Sequence, residues 1–494
     1  MNKCSLLLLA ALFTPLFSYA WSDVELHPSH ASRPGQPSSA NPIISLNTQT
    51  IDLTLSDAIY LGLRDNRSIR SIYFDRISQK FNLRVAEDRF TPKLVLSASY
   101  QSDRNQDDRS HQGNMSPVAT LLTPYGSRFS LGWTGSQTRA RNSGLSSNDG
   151  ANITVIQPLL RGAGRDVATA PVRLAQLNEQ SNRLSLKLTI MQTVTKIIMS
   201  YRELLQSQEQ VNIARDSLER SRQLADVNRA MISAGRMAEF EIVQTEADVA
   251  SQELALEDAR NQQESSRLAL LQLLALDLNT SIFASDALQA RRVDINIQQA
   301  LSEAERSQPE WLAQLIADEQ AGINLVVARN NRLWDVSLVG GASQVRDRSD
   351  KNGSSQTWDN YVGLKVEIPV GDMRAHQEEV QAQVDLRTQA LRVQEAHQQL
   401  EREVINAVRN IGTRWRQYEI SVRISDLSRR KLDIEREKLT AGRSSNFQVL
   451  RFESDLRNAD SAKLNALISY LNSQALLDQT LGTALQSWDI SIND

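Results

Sequence analysis

The chain repeats itself, and no other feature limits its fold as much. Ala234-Gly235-Arg236, followed by Phe240 and Ile242, recurs as Ala441-Gly442-Arg443, followed by Phe447 and Val449, displaced by 207 residues. Upstream, Ala58, Leu94 and Leu96 correspond to Ala300, Val336 and Leu338 at a displacement of 242. Between these anchors, Gln157-Pro158 and Ile368-Pro369 each close an alternating apolar stretch. Both halves run in the order helix, strands, long helix, turn, helix. One unit used twice in this way builds an elongated molecule.

Proline placement defines the long elements. None occurs from Val172 to Gln308, and none follows Pro369. These tracts are rich in Gln, Arg, Glu, Leu and Ala, which favour helix. From about Arg374 to Thr440 only Gly412 interrupts, and roughly 67 residues at ~1.5 Å each predict a rod of about 100 Å. Val404, Val408, Ile411, Trp415, Tyr418 and Val422 step by four and three, a heptad seam matched by Ile197, Tyr201, Leu204 and Val211. After each Ala-Gly-Arg turn the returning helix places apolar residues every seventh position. In the second half these are Val449, Leu456, Tyr470 and Leu477, broken at Lys463. In the first they are Ile242, Val249, Leu256 and Leu270, broken at Gln263. A strict seven-residue repeat supercoils left-handedly, so two antiparallel coiled-coil hairpins are predicted.

The N-terminus reads as an export signal: Lys3, an apolar core from Leu6 to Phe17, then Ser18-Tyr19-Ala20 as the cleavage site. Cleavage after Ala20 removes Cys4, the only cysteine, so neither a disulfide nor a thiolate metal site is expected. No other apolar run approaches the ~20 residues of a spanning helix, so any membrane is met by strands or at the surface. Charged residues make up 23% and nearly cancel to −3, which argues against a general nucleic-acid binder.

After a Pro-, Ser-, His- and Asn-rich leader, regular structure is expected from an N-cap at Ser56, with helical spacing to about Arg89. Pro92 breaks it and the period falls to two. Leu94, Leu96, Ala98 and Tyr100 alternate with polar or small residues, as do Phe129, Leu131 and Trp133, and Asn152 to Gln157 is extended. In the second half Val362, Leu364, Val366 and Ile368 form one face, with Val336, Leu338, Gly340 and Ala342 on a partner strand. The polar stretches 103–114, 138–150 and 345–359 read as long exposed loops. Alternation of this kind in an exported chain without apolar helices suggests a membrane β-barrel. Four strands cannot close one, and open edges in hydrocarbon leave backbone groups unpaired, so several copies must pool their strands.

In this order and duplicated, these features resemble the TolC family of trimeric outer-membrane export ducts. The similarity runs from about Leu53 to Gly482. It is carried by Leu53-Thr-Leu-Ser-Asp-Ala58, the Asn66-Arg67-Ser68 turn with its repeat at Gln308-Pro309, Gln157-Pro158-Leu159-Leu160-Arg161-Gly162, and the two Ala-Gly-Arg turns. The resemblance implies a mainly α, internally duplicated fold with a membrane β-barrel portion. Long antiparallel coiled-coil helices form an α-barrel, and four strands per chain make a 12-stranded trimeric barrel. The extra extended stretch at Val118–Trp133 departs from that pattern and is read as an elaborated outer loop. The expected layout is signal peptide 1–20, leader 21–52, helices 53–91, β segment 92–160 and hairpin 161–290. The second repeat follows with helices 291–332, β segment 333–370 and hairpin 371–483, then a tail 484–494.

The resemblance further implies a passive exit duct in the outer membrane of a Gram-negative bacterium, with a large periplasmic part, serving efflux or type I secretion. Its partners would be two further copies, a periplasmic adaptor, an inner-membrane transporter of ABC, RND or MFS type reached through that adaptor, and outer-membrane lipid. By position, the docking turns are Gly235, Arg236 and Met237, and Gly442, Arg443 and Ser444. The periplasmic aperture would be lined by Glu239, Glu241, Gln448 and Arg451. The last two depart from the family's acidic pattern, and a Glu241–Arg451 pair in the closed state is this chain's own expected alternative. No enzyme, cofactor or metal is expected. The five histidines (His27, His30, His111, His376, His397) lack ligand spacing, and Gly162-Ala-Gly164-Arg165 lacks the Gly-Lys-Ser/Thr of a phosphate loop. The rival from another class is a non-channel coiled-coil scaffold or adhesin spanning the periplasm, which has no need of the strands.

Overall fold

The computed structural model describes residues 50–491, apart from 105, 107, 108, 142, 143, 350–352 and 372. The signal peptide and most of the leader lie outside these residues.

The first repeat comprises β1 (Ile51–Leu53), α1 (Leu55–Asp65), α2 (Arg67–Glu87), β2 (Lys93–Arg104), β3 (Arg109–Leu122), β4 (Arg128–Ala140), β5 (Gly144–Pro158), α3 (Arg165–Ala168), α4 (Ala170–Ser233) and α5 (Glu241–Leu274). The second comprises β6 (Ile282–Ala284), α6 (Ile297–Ser307), α7 (Pro309–Asn331), β7 (Asp335–Ser349), β8 (Gly353–Glu367), α8 (Arg374–Thr440) and α9 (Asn446–Leu481). Among the described residues no helix is long and apolar enough to cross a membrane.

The rods follow from composition. Helices α4 and α8 run unbroken for 64 and 67 residues, about 100 Å each at ~1.5 Å per residue. The predicted seams are buried on α4 (Ile197, Tyr201, Leu204, Val211) and α9 (Val449, Leu456, Tyr470, Leu477). On α8, by contrast, Val404 and Ile411 are buried and Val408, Trp415, Tyr418 and Val422 half-buried, and on α5 Leu256 and Leu270 are buried and Ile242 and Val249 half-buried. The largest core joins α4 to α1 and α5 around Tyr201, Leu270, Leu271 and Leu274, each fully buried aliphatic side chain contributing ~1.5–3 kcal/mol. Four helices of the chain lie side by side at each end of the rods. Near the sheet these are α2, α4, α7 and α8. Toward the turns they are α4, α5, α8 and α9.

The first helix is capped by Thr54, not Ser56. Its side chain accepts from the Asp57 N–H while Asp57 reaches back, a capping box. Ile51 and Asp52, assigned from sequence to the leader, instead pair in parallel with Ile282 and Phe283. The buried Tyr201 hydroxyl fixes this small sheet by donating to the Leu53 carbonyl at 2.8 Å. A three-residue strand has no periodicity to read, which is why it went unforeseen.

The principal sheet corrects the strand count. It has six antiparallel strands per chain, in the order β2-β3-β4-β5-β7-β8. The stretch read as an outer loop is a hairpin built into the wall, β3 and β4, turning at residues 123–127. The polar stretches 103–114, 138–150 and 345–359 are mostly the upper ends of strands 12 to 15 residues long.

Candidate functional site

The two ends of the molecule carry different chemistry. At the far end of the rods the two reversals are built alike. Gly235 and Gly442 adopt φ of +66° and +70°, a conformation that costs glycine nothing. The Arg236 N–H reaches the Met231 carbonyl and the Gly235 N–H that of Ile232 (2.8 and 2.9 Å). In the second copy, Arg443 bonds Lys438 and Gly442 bonds Leu439 at the same 2.8 and 2.9 Å. This double bond pattern satisfies the last carbonyls of each rod. Arg236 and Arg443 are left exposed at the tips.

Beyond the glycines the copies diverge. The second turn is braced: Ser445 caps α9, and the Ser444 hydroxyl donates to Glu435 at 2.6 Å. That hydroxyl, with the Lys438 ammonium, holds the Glu435 carboxyl below the usual carboxylate range. The first turn has no such cap, and α5 starts without a side-chain acceptor. Met237 is half-buried against the α8–α9 core around Leu439 and Val449.

Of the expected aperture residues, Glu239 and Arg451 are exposed, and Glu241 and Gln448 are half-buried. Glu241 and Arg451 form no ion pair within one chain. Two groups that sequence reasoning passed over stand out here. Phe240 and Phe447, equivalent in the two copies, are 76% and 59% exposed at the tips. Their signal was visible, since both had served as anchors of the repeat.

The second group is a buried polar knot of Asn228 on α4, Thr245 on α5 and Asn446 on α9, all essentially inaccessible. The Asn228 amide donates to Thr245 Oγ1 and to Asn446 Oδ1, both at 2.8 Å. Asn446 Nδ2 donates to Thr245 Oγ1 at 2.9 Å and to the Glu241 carbonyl at 3.4 Å. The knot ties one hairpin to the other just behind the turns. Two turns of helix further back, Glu453 on α9, only 3% exposed, bridges Arg220 of α4 at 2.9 Å and Arg436 of α8.

At the other end the sheet divides its faces. One carries Leu94, Leu96, Leu131, Trp133, Val362 and Leu364, all exposed. The register puts Ser97, Ser116, Ser130, Asn152, Ser343 and Lys365 on the opposite face. Tyr100 and Trp358, 74% and 72% exposed, lie toward the upper limit of the apolar face, where aromatic girdles mark a membrane interface. Gly162 and Gly164 carry β5 into α3 with left-handed backbone, a bend and not a phosphate cradle. His111 stacks on Tyr100 and His397 contacts Glu305.

An exposed apolar band on a polar-backed sheet, standing on paired helical rods about 100 Å long, is an architecture this chain shares with solved outer-membrane channels. Solved structures agree on the fold. The CmeC outer membrane channel of Campylobacter jejuni matches with TM-score 0.66 at 16% identity, over 87% of this chain and 86% of that one. VceC of Vibrio cholerae matches with TM-score 0.66 at 14% identity, over 87% and 96%. The open state of the MtrE channel of Neisseria gonorrhoeae matches with TM-score 0.66 at 15% identity, over 87% and 89%. In sequence, the model of the outer membrane efflux protein family matches residues 58–276. No curated protein matches it in sequence.

Proposed function

We propose that three copies of this chain form the outer-membrane exit duct of a tripartite efflux or type I secretion system. The duct performs no chemistry: its polar lumen conducts what an inner-membrane transporter of ABC, RND or MFS type delivers through a periplasmic adaptor. One observation carries this reading. A sheet apolar on one face and polar on the other has two unpaired edges, which in hydrocarbon cost several kcal/mol for each unsatisfied backbone group. Further copies supply the missing partners. A periplasmic scaffold or adhesin leaves that apolar face without purpose.

The adaptor docks on the turns through Gly235, Arg236 and Met237, and through Gly442, Arg443 and Ser444. The glycine reversal shared by both tips lets one adaptor element meet two sites per chain, and the exposed arginines supply charge. The aperture lies just behind, among Glu239, Glu241, Gln448 and Arg451. Because Glu241 and Arg451 do not pair within a chain, the closing contact is made between neighbouring subunits. The test is extraction of the membrane fraction followed by single-channel recording. Detergent-dependent trimers that conduct are expected, and a water-soluble, non-conducting monomer refutes the proposal.

A further inference from the structure

We propose that the membrane wall of this duct has eighteen strands, closed by antiparallel pairing of each chain's β2 with a neighbouring copy's β8. The inference rests on the trimeric duct proposed above and fixes what that reading leaves open, the girth of the barrel and the bore it offers to cargo.

The β3–β4 hairpin is made as wall, not as ornament. Strand β3 pairs with β2 from Lys93↔Thr120 to Arg104↔Arg109, and β4 with β5 from Arg128↔Ile156 to Ala140↔Gly144. Its side chains sort as those of the other strands do. Met115, Phe129, Leu131 and Trp133 are 40–54% exposed on the apolar face, continuous through the register with Leu94 and Leu96. A hairpin folded over the mouth or into the lumen meets water on both sides and has no use for an apolar row. Pro117 costs one ladder bond, and pairing of β3 with β4 lapses there and resumes at Val118.

The ends of the sheet are ready for a second copy. Every described residue of β2 and β8 is exposed in the single chain. With six alternating strands, β2 and β8 run in opposite directions, so the seam between copies continues the antiparallel pattern. A ring of three then closes without a leftover edge.

The girth supports the same count. Three copies place twelve helices around the tunnel, which at about 8–10 Å between axes gives a circumference of about 100–120 Å. Eighteen strands about 4.8 Å apart and tilted by about 35–45° give about 105–120 Å. Twelve strands give about 70–80 Å by the same arithmetic. The wall and the rods therefore meet at equal width.

The experiment uses the trimer in lipid nanodiscs, in a Cys4→Ser background, with a fluorophore attached at Leu96→Cys in β2, Leu131→Cys in β4 or Thr134→Cys on the opposite face. Nitroxide-bearing lipids should quench positions 96 and 131 to within twofold of each other and leave 134 several-fold less affected. Electron microscopy of unlabelled trimers should count eighteen strands in cross-section. Deletion of residues 109–140 should reduce the count to twelve and the diameter to two-thirds. Quenching at 96 without quenching at 131, or a twelve-stranded wall in the full chain, overturns the proposal while sparing the duct. Absence of quenching at both positions overturns the duct reading itself, and the wider wall with it. Because the first two measurements need no deletion, a deletion variant that fails to assemble does not shield the idea.

Discussion

Replacement of Asn446 by alanine should loosen the periplasmic tip and leave the rest of the rods untouched. Asn446 makes three hydrogen bonds in the knot, to Asn228, Thr245 and the Glu241 carbonyl. Two have good length; the third, at 3.4 Å, is weak. Each good bond contributes about 0.5–1.5 kcal/mol net. Asn228 Oδ1 is already without a partner in a buried site, so little rearrangement can compensate. A loss of about 2 kcal/mol follows, which is roughly a 30-fold increase in the local opening constant. Hydrogen exchange of the reconstituted protein measures it directly. Amides in residues 224–250 and 441–456 should exchange about 30-fold faster, while those of α2 and α6 keep the wild-type rate. Uniform acceleration along the rods would mean that the substitution weakens global assembly. No acceleration at all would show that the knot does not hold the hairpins together. Either result refutes the reasoning.

Gly442→Ala forces a side chain into left-handed backbone and should cost about 1–2 kcal/mol, read as fraying of the α8 terminus in the same experiment. Gly412→Ala, in the middle of α8 with open space around it, should instead raise stability by about 0.5–1 kcal/mol. Glu453→Ala strands Arg220 and Arg436, whose side chains are 21% and 31% exposed. Denaturant unfolding should show a loss of about 2–4 kcal/mol, since partial hydration of the arginines discounts the full buried-pair penalty. Asp478 on α9 has its pKa raised by burial, against opposing help from Ser487 and Arg202. A raised folded pKa means stability is fullest below the unfolded value and is lost as pH rises through the folded one. Asp478→Asn should therefore stabilise the protein at pH 7 and flatten its gain on acidification, as followed by urea unfolding at a series of pH values. Arg451→Glu should raise single-channel conductance by breaking the contact with Glu241 of a neighbouring copy. An unchanged conductance removes that contact from the closed state.

The rods were legible because their code is local and redundant. A run of helix formers without proline ends at a glycine, and every seventh residue is apolar, so the ends of α8 and the burial of Val449, Leu456, Tyr470 and Leu477 could be read from spacing alone. Strand β3 was not legible for the opposite reason. A membrane strand needs apolar residues on one face only. The sequence from Arg109 to Leu122 contains His, Gln, Asn and two Ser residues, and its Pro117 argues against a strand. Read alone it is a loop; only pairing with β2 and β4 makes it wall. The tip knot was hidden differently. Asn228, Thr245 and Asn446 lie on three helices and meet only when the hairpins pack, and polar residues on coiled coils usually face water.

The duplication itself separates what is shared from what is particular. Where the copies agree, as in the glycine turns and the heptads, they specify length and reversal, which any such rod requires. Where they differ, the difference has physical consequences. The first copy gives four strands to the wall and the second gives two, so widening the barrel required a change to one repeat only, with no alteration to the helices beneath. Likewise the second tip is capped by Ser445 and braced by Ser444, while the first carries the partners Asn228, Thr245 and the Glu241 carbonyl that receive Asn446. Separating the two hairpins at the tip breaks the bonds of Asn446 and leaves the bonds within each turn intact, which is why that residue, and neither arginine of the turns, is the one to replace first.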